Sequence, residues 1–152
     1  MIYLDNAATS FHKPREVVSA VTNALLFYNA NPGRSGHDLS VKAAEKVFEA
    51  REYLDDFFNG YGSECVSFTS NCTEALNIAI KGILKQGDHV IISCFEHNSV
   101  VRPLHKLKQR GYIEYSVFDV SEDEEKTLEN FKNNFKENTR LCIVTAVSNV
   151  FG

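Results

Sequence analysis

The chain has 152 residues, of which 43% are hydrophobic and 24% charged, with a formal net charge of -4. That composition suits one ordinary soluble domain able to bury roughly 70% of its unfolded surface. Basic residues are scattered among acidic ones, which excludes a nucleic-acid footprint. The longest apolar runs, such as "HVIISCF", fall far short of the ~20 residues that a bilayer span needs, which excludes a membrane partner.

The opening "MIYLDNAATS" lacks the basic start and apolar middle of a secretory leader, so a cytoplasmic location is the expectation. From 14 to 28, Val17, Val21, Ala24, Leu25 and Tyr28 recur at steps of three and four, and Pro14 suits a first helical turn. "NANPGRSGHD" interrupts that rhythm. A second, longer helix then begins at Ser40, with Val41, Ala44, Val47, Phe48, Arg51, Leu54 and Phe58 on its inner face, and stops near Asn59 and Gly60.

Beyond this point the pattern alternates: "ECVSFT", a helix over 73–85, "DHVIIS", a helix over 98–110, "YIEYSVF", an acidic helix within "SEDEEKTLENFKNNFKEN", and "LCIVTAV". Short apolar strands alternating with amphipathic helices predict an α/β fold: N-terminal helices, then a mostly parallel sheet with flanking helices. Gly87 and Gly111 fall at expected helix ends, as left-handed caps require. The acidic helix is read as a solvated element with Leu128, Phe131 and Phe135 facing inward. The four cysteines, Cys65, Cys72, Cys94 and Cys142, form no CxxC pair, which argues against zinc or a disulfide framework and for buried free thiols.

In open α/β sheets, ligands bind beyond the carboxyl ends of the strands. "SNCTE", "CFEHNS" and "VSNVFG" all fall at such ends, which brings Thr73, His97 and Asn149 forward as candidates. Each also has a plain structural reading: Thr73 as a helix cap, His97 as an exposed loop histidine, Asn149 as a turn residue. Free N–H groups and a hydroxyl at a helix start make an anion site. Asn98 or Ser99 is expected to cap the helix after His97. There is no GxGxxG, no GxxxxGK[ST], no HExxH and no GxSxG, so dinucleotide, nucleoside triphosphate, zinc-protease and serine-hydrolase sites lack their usual signatures.

The ordered segments "YLDNAAT", "NANPGRSGH", "TSNCTEALN", "EHNS" and "VSNVFG" resemble those of the cysteine desulfurases, class V aminotransferase enzymes of fold type I that use pyridoxal 5'-phosphate (PLP). The resemblance implies that the Cys72 and Thr73 backbone and the Thr73 hydroxyl hold the cofactor phosphate. His97 matches a histidine that stacks on the ring and exchanges protons there, and Asn149 an asparagine that hydrogen-bonds the ring oxygen. It implies a helical segment at 1–60 and the first part of the PLP-binding large domain at 61–152.

Members of the family are longer, so the chain is expected to be an N-terminal fragment without the PLP-binding lysine and the sulfur-accepting cysteine loop, and inactive alone. None of Cys65, Cys72, Cys94 and Cys142 matches that persulfide cysteine, and Lys81 and Lys85 match no lysine motif. The implied partners are L-cysteine or a related amino acid, a sulfur-acceptor protein and further copies in a homo-oligomer. The strand "ECVSFT" is expected to lose its family neighbours, with rearranged or exchanged pairing between copies. Selenocysteine lyase or aminotransferase activity, or a non-catalytic binding or assembly module, are the other functions compatible with these residues.

Overall fold

The computed structural model describes residues 2–4, 6, 7, 9–33 and 36–150. Parts of three motifs therefore lie outside the described residues: Asp5 and Ala8 of "YLDNAAT", Arg34 and Ser35 of "NANPGRSGH", and Phe151 and Gly152 of "VSNVFG". The chain divides into two compact units, Met1–Phe68 and Thr69–Gly152.

The first unit holds α1 (Arg15–Phe27) and α2 (Asp38–Phe58). Pro14 precedes α1 and its carbonyl accepts from the Val17 and Val18 N–H groups, satisfying donors that have no partner inside a helix. α2 begins two residues before the expected Ser40, because His37 Nδ1 accepts the Ser40 N–H at 3.2 Å. The Ser40 hydroxyl is thereby released to donate to the Asn31 carbonyl at 2.8 Å. α2 ends as expected at Asn59, left-handed at φ 51, a conformation that asparagine tolerates.

The expected inner faces are a correction. α1 buries no residue and α2 buries only Ser40 and Ala43, while Val17, Val21, Leu25, Val41, Val47, Phe48, Leu54 and Phe58 are exposed. Periodicity reports which face is apolar; burial also needs a second layer, and none among the described residues covers these stripes.

The expected strand at 64–69 is also corrected. Ser63–Cys65 form a 3-10 turn that packs against α2, and Val66 continues in extended backbone without a ladder partner among the described residues. Apolar alternation supplies a strand-ready segment, but a strand exists only where a neighbour accepts its hydrogen bonds.

The second unit is α3 (Cys72–Ile83), β1 (His89–Ser93), α4 (Asn98–Gln109), β2 (Glu114–Phe118), α5 (Glu124–Asn133) and β3 (Thr139–Ile143). Its sheet has the order β2-β1-β3 and both pairings are parallel, so the chain has the α/β architecture read from the alternation. β1 lies between the other two and all five of its residues are buried, as a continuous apolar run in a parallel sheet predicts.

Val90 and Ile92 face α3 and α4, packing with Ile80, Leu84, Val100, Leu104 and Ile113. On the other face Phe118 meets Phe131 of α5 edge-on, ring centroids 5.4 Å apart. Leu128 and Phe135 are exposed rather than inward; Phe131 meets the sheet at Phe118, and Phe135, beyond the end of α5, packs edge-on against the Phe131 ring. Gly111 closes α4 at φ +66, its N–H on the Lys108 carbonyl and the Tyr112 N–H on Leu107, the paired bonds of a left-handed helix end. Gly87 is also left-handed, but it lies in the turn before β1, three residues beyond the Leu84 cap.

The last strand is shorter than "LCIVTAV" implied. It stops at Ile143, opposite Ile92, and beyond that the Thr145 N–H bonds the Glu96 carboxylate instead of a strand. All four cysteines are free and exposed, which corrects the buried thiols. Cys65, in particular, sits in the 3-10 turn and not in a strand. Cys142 lies on edge strand β3 and points away from the α3–α4 layer.

His89 ties the three strands together. Its Nδ1 is 2.8 Å from the Thr139 hydroxyl of β3 and its Nε2 2.9 Å from the Ser116 hydroxyl of β2. Burial, with Lys136 nearby, pushes the imidazole below its ordinary value of 6.5. Unfolded, the ring takes a proton near that value; folded, it does so only at lower pH. Between the two the unfolded chain binds more protons, so the neutral ring's contribution is complete above the unfolded value and is lost as pH falls through it toward the folded one. The expected result is a urea midpoint that falls between about pH 7.5 and about pH 5.5 and a weaker fall in His89→Gln. An equal fall in both proteins would remove His89 as the cause.

Candidate functional site

α3 starts immediately after three polar residues, Thr69, Ser70 and Asn71, and their bonding shows which of them caps. Asn71 Oδ1 accepts the Glu74 N–H at 2.9 Å, while the Glu74 carboxylate reaches back to the Ser70 N–H at 2.8 Å and the Ser70 hydroxyl at 2.6 Å. This is a reciprocal cap of the capping-box kind. The Ser70 hydroxyl and N–H hold the Glu74 carboxyl below the usual carboxylate range. The cap is thus Asn71 and not Thr73.

Asn71 takes the third N–H of the helix and leaves those of Cys72 and Thr73 without an acceptor among the described residues, together with the Thr73 hydroxyl. Two free N–H groups at the positive end of a three-turn helix favour an anion.

α4 begins after β1 with a cap of its own. His97, not Asn98 or Ser99, is the capping residue: its Nδ1 accepts the Ser99 N–H at 3.1 Å and lies 2.8 Å from the Ser99 hydroxyl. Because Nδ1 accepts, the neutral ring carries its proton on Nε2, which has no partner among the described residues. The sequence placed His97 before the helix; the cap fixes which ring nitrogen is turned outward.

Thr73 and His97 line the same cleft, about 420 Å³, between α3 and α4. The cleft also carries Lys81, Arg102, Lys106 and Arg110, with no carboxylate among its lining residues. The chain's overall acidic balance hides the cluster of Arg102, Lys106 and Arg110. The spacing Arg102, Lys106, Arg110, four residues apart on one helix face, was the available signal.

His97 also lines a second cleft, about 390 Å³, with Glu96, Thr145, Ser148 and Asn149. Asn149 sits in a turn and is exposed. Thr73 and His97 are therefore neighbours in one cleft and His97 and Asn149 in the other, with His97 common to both. Cys72 lines neither and offers only its backbone. Among the described residues no group of three or more His, Cys, Asp and Glu side chains is placed to hold a metal ion, and no helix is long and apolar enough to cross a membrane.

The α3 start, with two free N–H groups, and His97 at the start of α4 meet in one cleft of an α/β unit, an arrangement that favours an anion. The class-V aminotransferase family model matches residues 2–152, and the chain belongs to that family.

A probable cysteine desulfurase of Methanothermobacter thermautotrophicus is 37% identical over 152 residues, covering 99% of this chain and 37% of the relative. The apo structure of a cysteine desulfurase from Thermococcus onnurineus NA1 superposes with a TM-score of 0.84 at 32% identity, over 97% of this chain and 37% of the other. SspA in complex with cysteine superposes with a TM-score of 0.80 at 25% identity, over 97% and 42%. The chain thus spans little more than a third of the length of these relatives.

Proposed function

We propose that these 152 residues are the N-terminal, cofactor-cradling part of a PLP-dependent cysteine desulfurase acting on L-cysteine. The carrying observation is the α3 start: two free N–H groups and the Thr73 hydroxyl beside His97 in a cleft whose charged side chains are all cationic. Those groups fit a phosphate ester with an aromatic ring attached, and two of the relatives named above, from Methanothermobacter thermautotrophicus and Thermococcus onnurineus, are described as cysteine desulfurases.

When bound, PLP supplies the electron sink for reaction at the substrate's α-carbon. The chain's own residues bind and orient it. The Cys72 and Thr73 N–H groups and the Thr73 hydroxyl donate to the phosphate, and the helix dipole adds to their attraction. His97 covers the ring, its Nδ1 locked on Ser99, and Nε2 is the atom that holds or passes a proton. The Asn149 amide donates to the ring oxygen. The PLP-binding lysine and the sulfur-accepting cysteine come from outside these 152 residues. The sulfur acceptor protein, the homo-oligomer and the cytoplasmic setting implied by the resemblance belong to this same reading.

Two measurements test it. The 152-residue chain alone should release no sulfide from cysteine above the background of free PLP, and release above that background would overturn the division of labour. In the full-length enzyme, Thr73→Ala removes one hydrogen bond to a charged group, worth roughly 1.5 to 3 kcal/mol. PLP affinity should fall by roughly tenfold to a hundredfold. Unchanged affinity would take Thr73 out of the site.

A further inference from the structure

We infer that Glu96 is a positioning residue: its carboxylate clasps the loop after β1, which carries His97, to the segment after β3, which carries Asn149, and so sets where those two side chains stand. The inference rests on the functional reading above for what the two side chains do, but the clasp itself is read from geometry alone.

Glu96 Oε1 accepts from the Ser93 hydroxyl at 2.6 Å and from the Thr145 N–H at 2.6 Å, and Oε2 accepts from the Thr145 hydroxyl at 3.0 Å. Ser93 is the last residue of β1 and is buried, so one end of the clasp is anchored in the central strand. The other end takes over where the sheet runs out. The β1–β3 ladder finishes at Ile92 and Ile143, and Thr145, two residues further, has no strand opposite it.

A carboxylate with only acceptor sites suits three converging donors. Neither of the ion pairs found among the described residues involves Glu96. Its role is to close the gap between two loops that the backbone does not join. The loops so joined line one cleft, with His97 on one wall and Thr145 and Asn149 on the other. Without the clasp each loop would keep its own local bonds, such as His97 on Ser99 and the Val150 N–H on Ser148, while losing the bonds that Glu96 makes to Ser93 and Thr145.

Glutamine is the informative control. Its carbonyl still accepts from Ser93 and the Thr145 N–H, and its amide can donate to the Thr145 hydroxyl, which rotates to accept. Alanine removes all three bonds. The experiment is amide hydrogen exchange by NMR on the 152-residue chain as wild type, Glu96→Ala and Glu96→Gln, with the His97 ring and Asn149 side-chain resonances followed in the same samples.

In Glu96→Ala the Thr145 amide should exchange at least about tenfold faster while Ile91 and Ile92 stay within about twofold of wild type, because the opening is local. The His97 and Asn149 signals should both move, the Thr73 amide should not, and Glu96→Gln should restore the wild-type pattern. Unchanged Thr145 exchange, or Ile91 accelerating as much as Thr145, would overturn the inference, the latter because Glu96 would then merely support the fold. These readouts involve no cofactor. If they hold while the full-length wild-type protein carries no PLP, the functional reading fails and the clasp stands.

Discussion

On the function proposed above, His97→Ala in the full-length protein is expected to lower cysteine turnover by roughly a hundredfold to ten-thousandfold, the usual contribution of a positioned proton-transfer group, and to loosen PLP as well. Phenylalanine should separate the two effects, since it keeps an aromatic face against the ring and has no nitrogen to carry a proton. His97→Phe is therefore expected to retain PLP close to wild-type content while turnover falls. Both variants also lose the Nδ1 cap on Ser99, a structural cost of about 1 kcal/mol for an N-cap. His97→Asn controls for it, because asparagine caps well and brings neither ring nor proton chemistry. Cofactor content and cysteine turnover are measured on all three variants. If His97→Asn turns over like wild type, His97 is a capping residue only; if His97→Phe does, the proton role is removed and the stacking role remains.

Leu104→Ala in the 152-residue chain is expected to cost about 2 to 5 kcal/mol, the range for truncating a buried leucine with partial collapse of the cavity. Leu104 is 0% exposed and packs in the cluster formed by α3, α4 and the inner face of the sheet. α4 carries both Leu104 in that cluster and His97 at its start, so loss of packing reaches the site through one helix. A domain of ordinary stability has about 5 to 15 kcal/mol in total, so this one change removes a large share and should shift the urea midpoint strongly. Leu104→Met conserves volume and is expected to cost less than about 1.5 kcal/mol. A loss below about 1 kcal/mol in Leu104→Ala would mean that the site collapses freely and that the cluster is not the core.

Much of the second unit was legible in the sequence because its elements carry their own signals. β1 is a short apolar run bounded by turn residues, α3 and α4 each present one apolar face, and Gly111 stands where a left-handed end is required. The positions of Thr73 and His97 were legible for the same reason: each follows a strand or strand-like run and stands at a helix start. The cap assignments were not. Asn71, Thr73, His97, Asn98 and Ser99 are all capable of capping, and the choice among them depends on which N–H the side chain meets once the turn is formed.

By itself the sequence determined the alternation of helices and strands, the parallel α/β class and the two helix starts that hold Thr73 and His97, because all of these follow from spacing along one segment. Tertiary structure alone decided what depends on a second segment. "ECVSFT" has strand chemistry and no ladder, because hydrogen bonds need a neighbour among the described residues and it has none. The apolar stripes of α1 and α2 have the right period and stay exposed, because periodicity chooses a face and another layer must cover it. Cys142 is exposed because β3 is an edge. The bond from Glu96 to Thr145 joins residues 49 positions apart in the chain; no local pattern encodes such a pair, and it forms only when the parallel sheet brings the ends of β1 and β3 side by side.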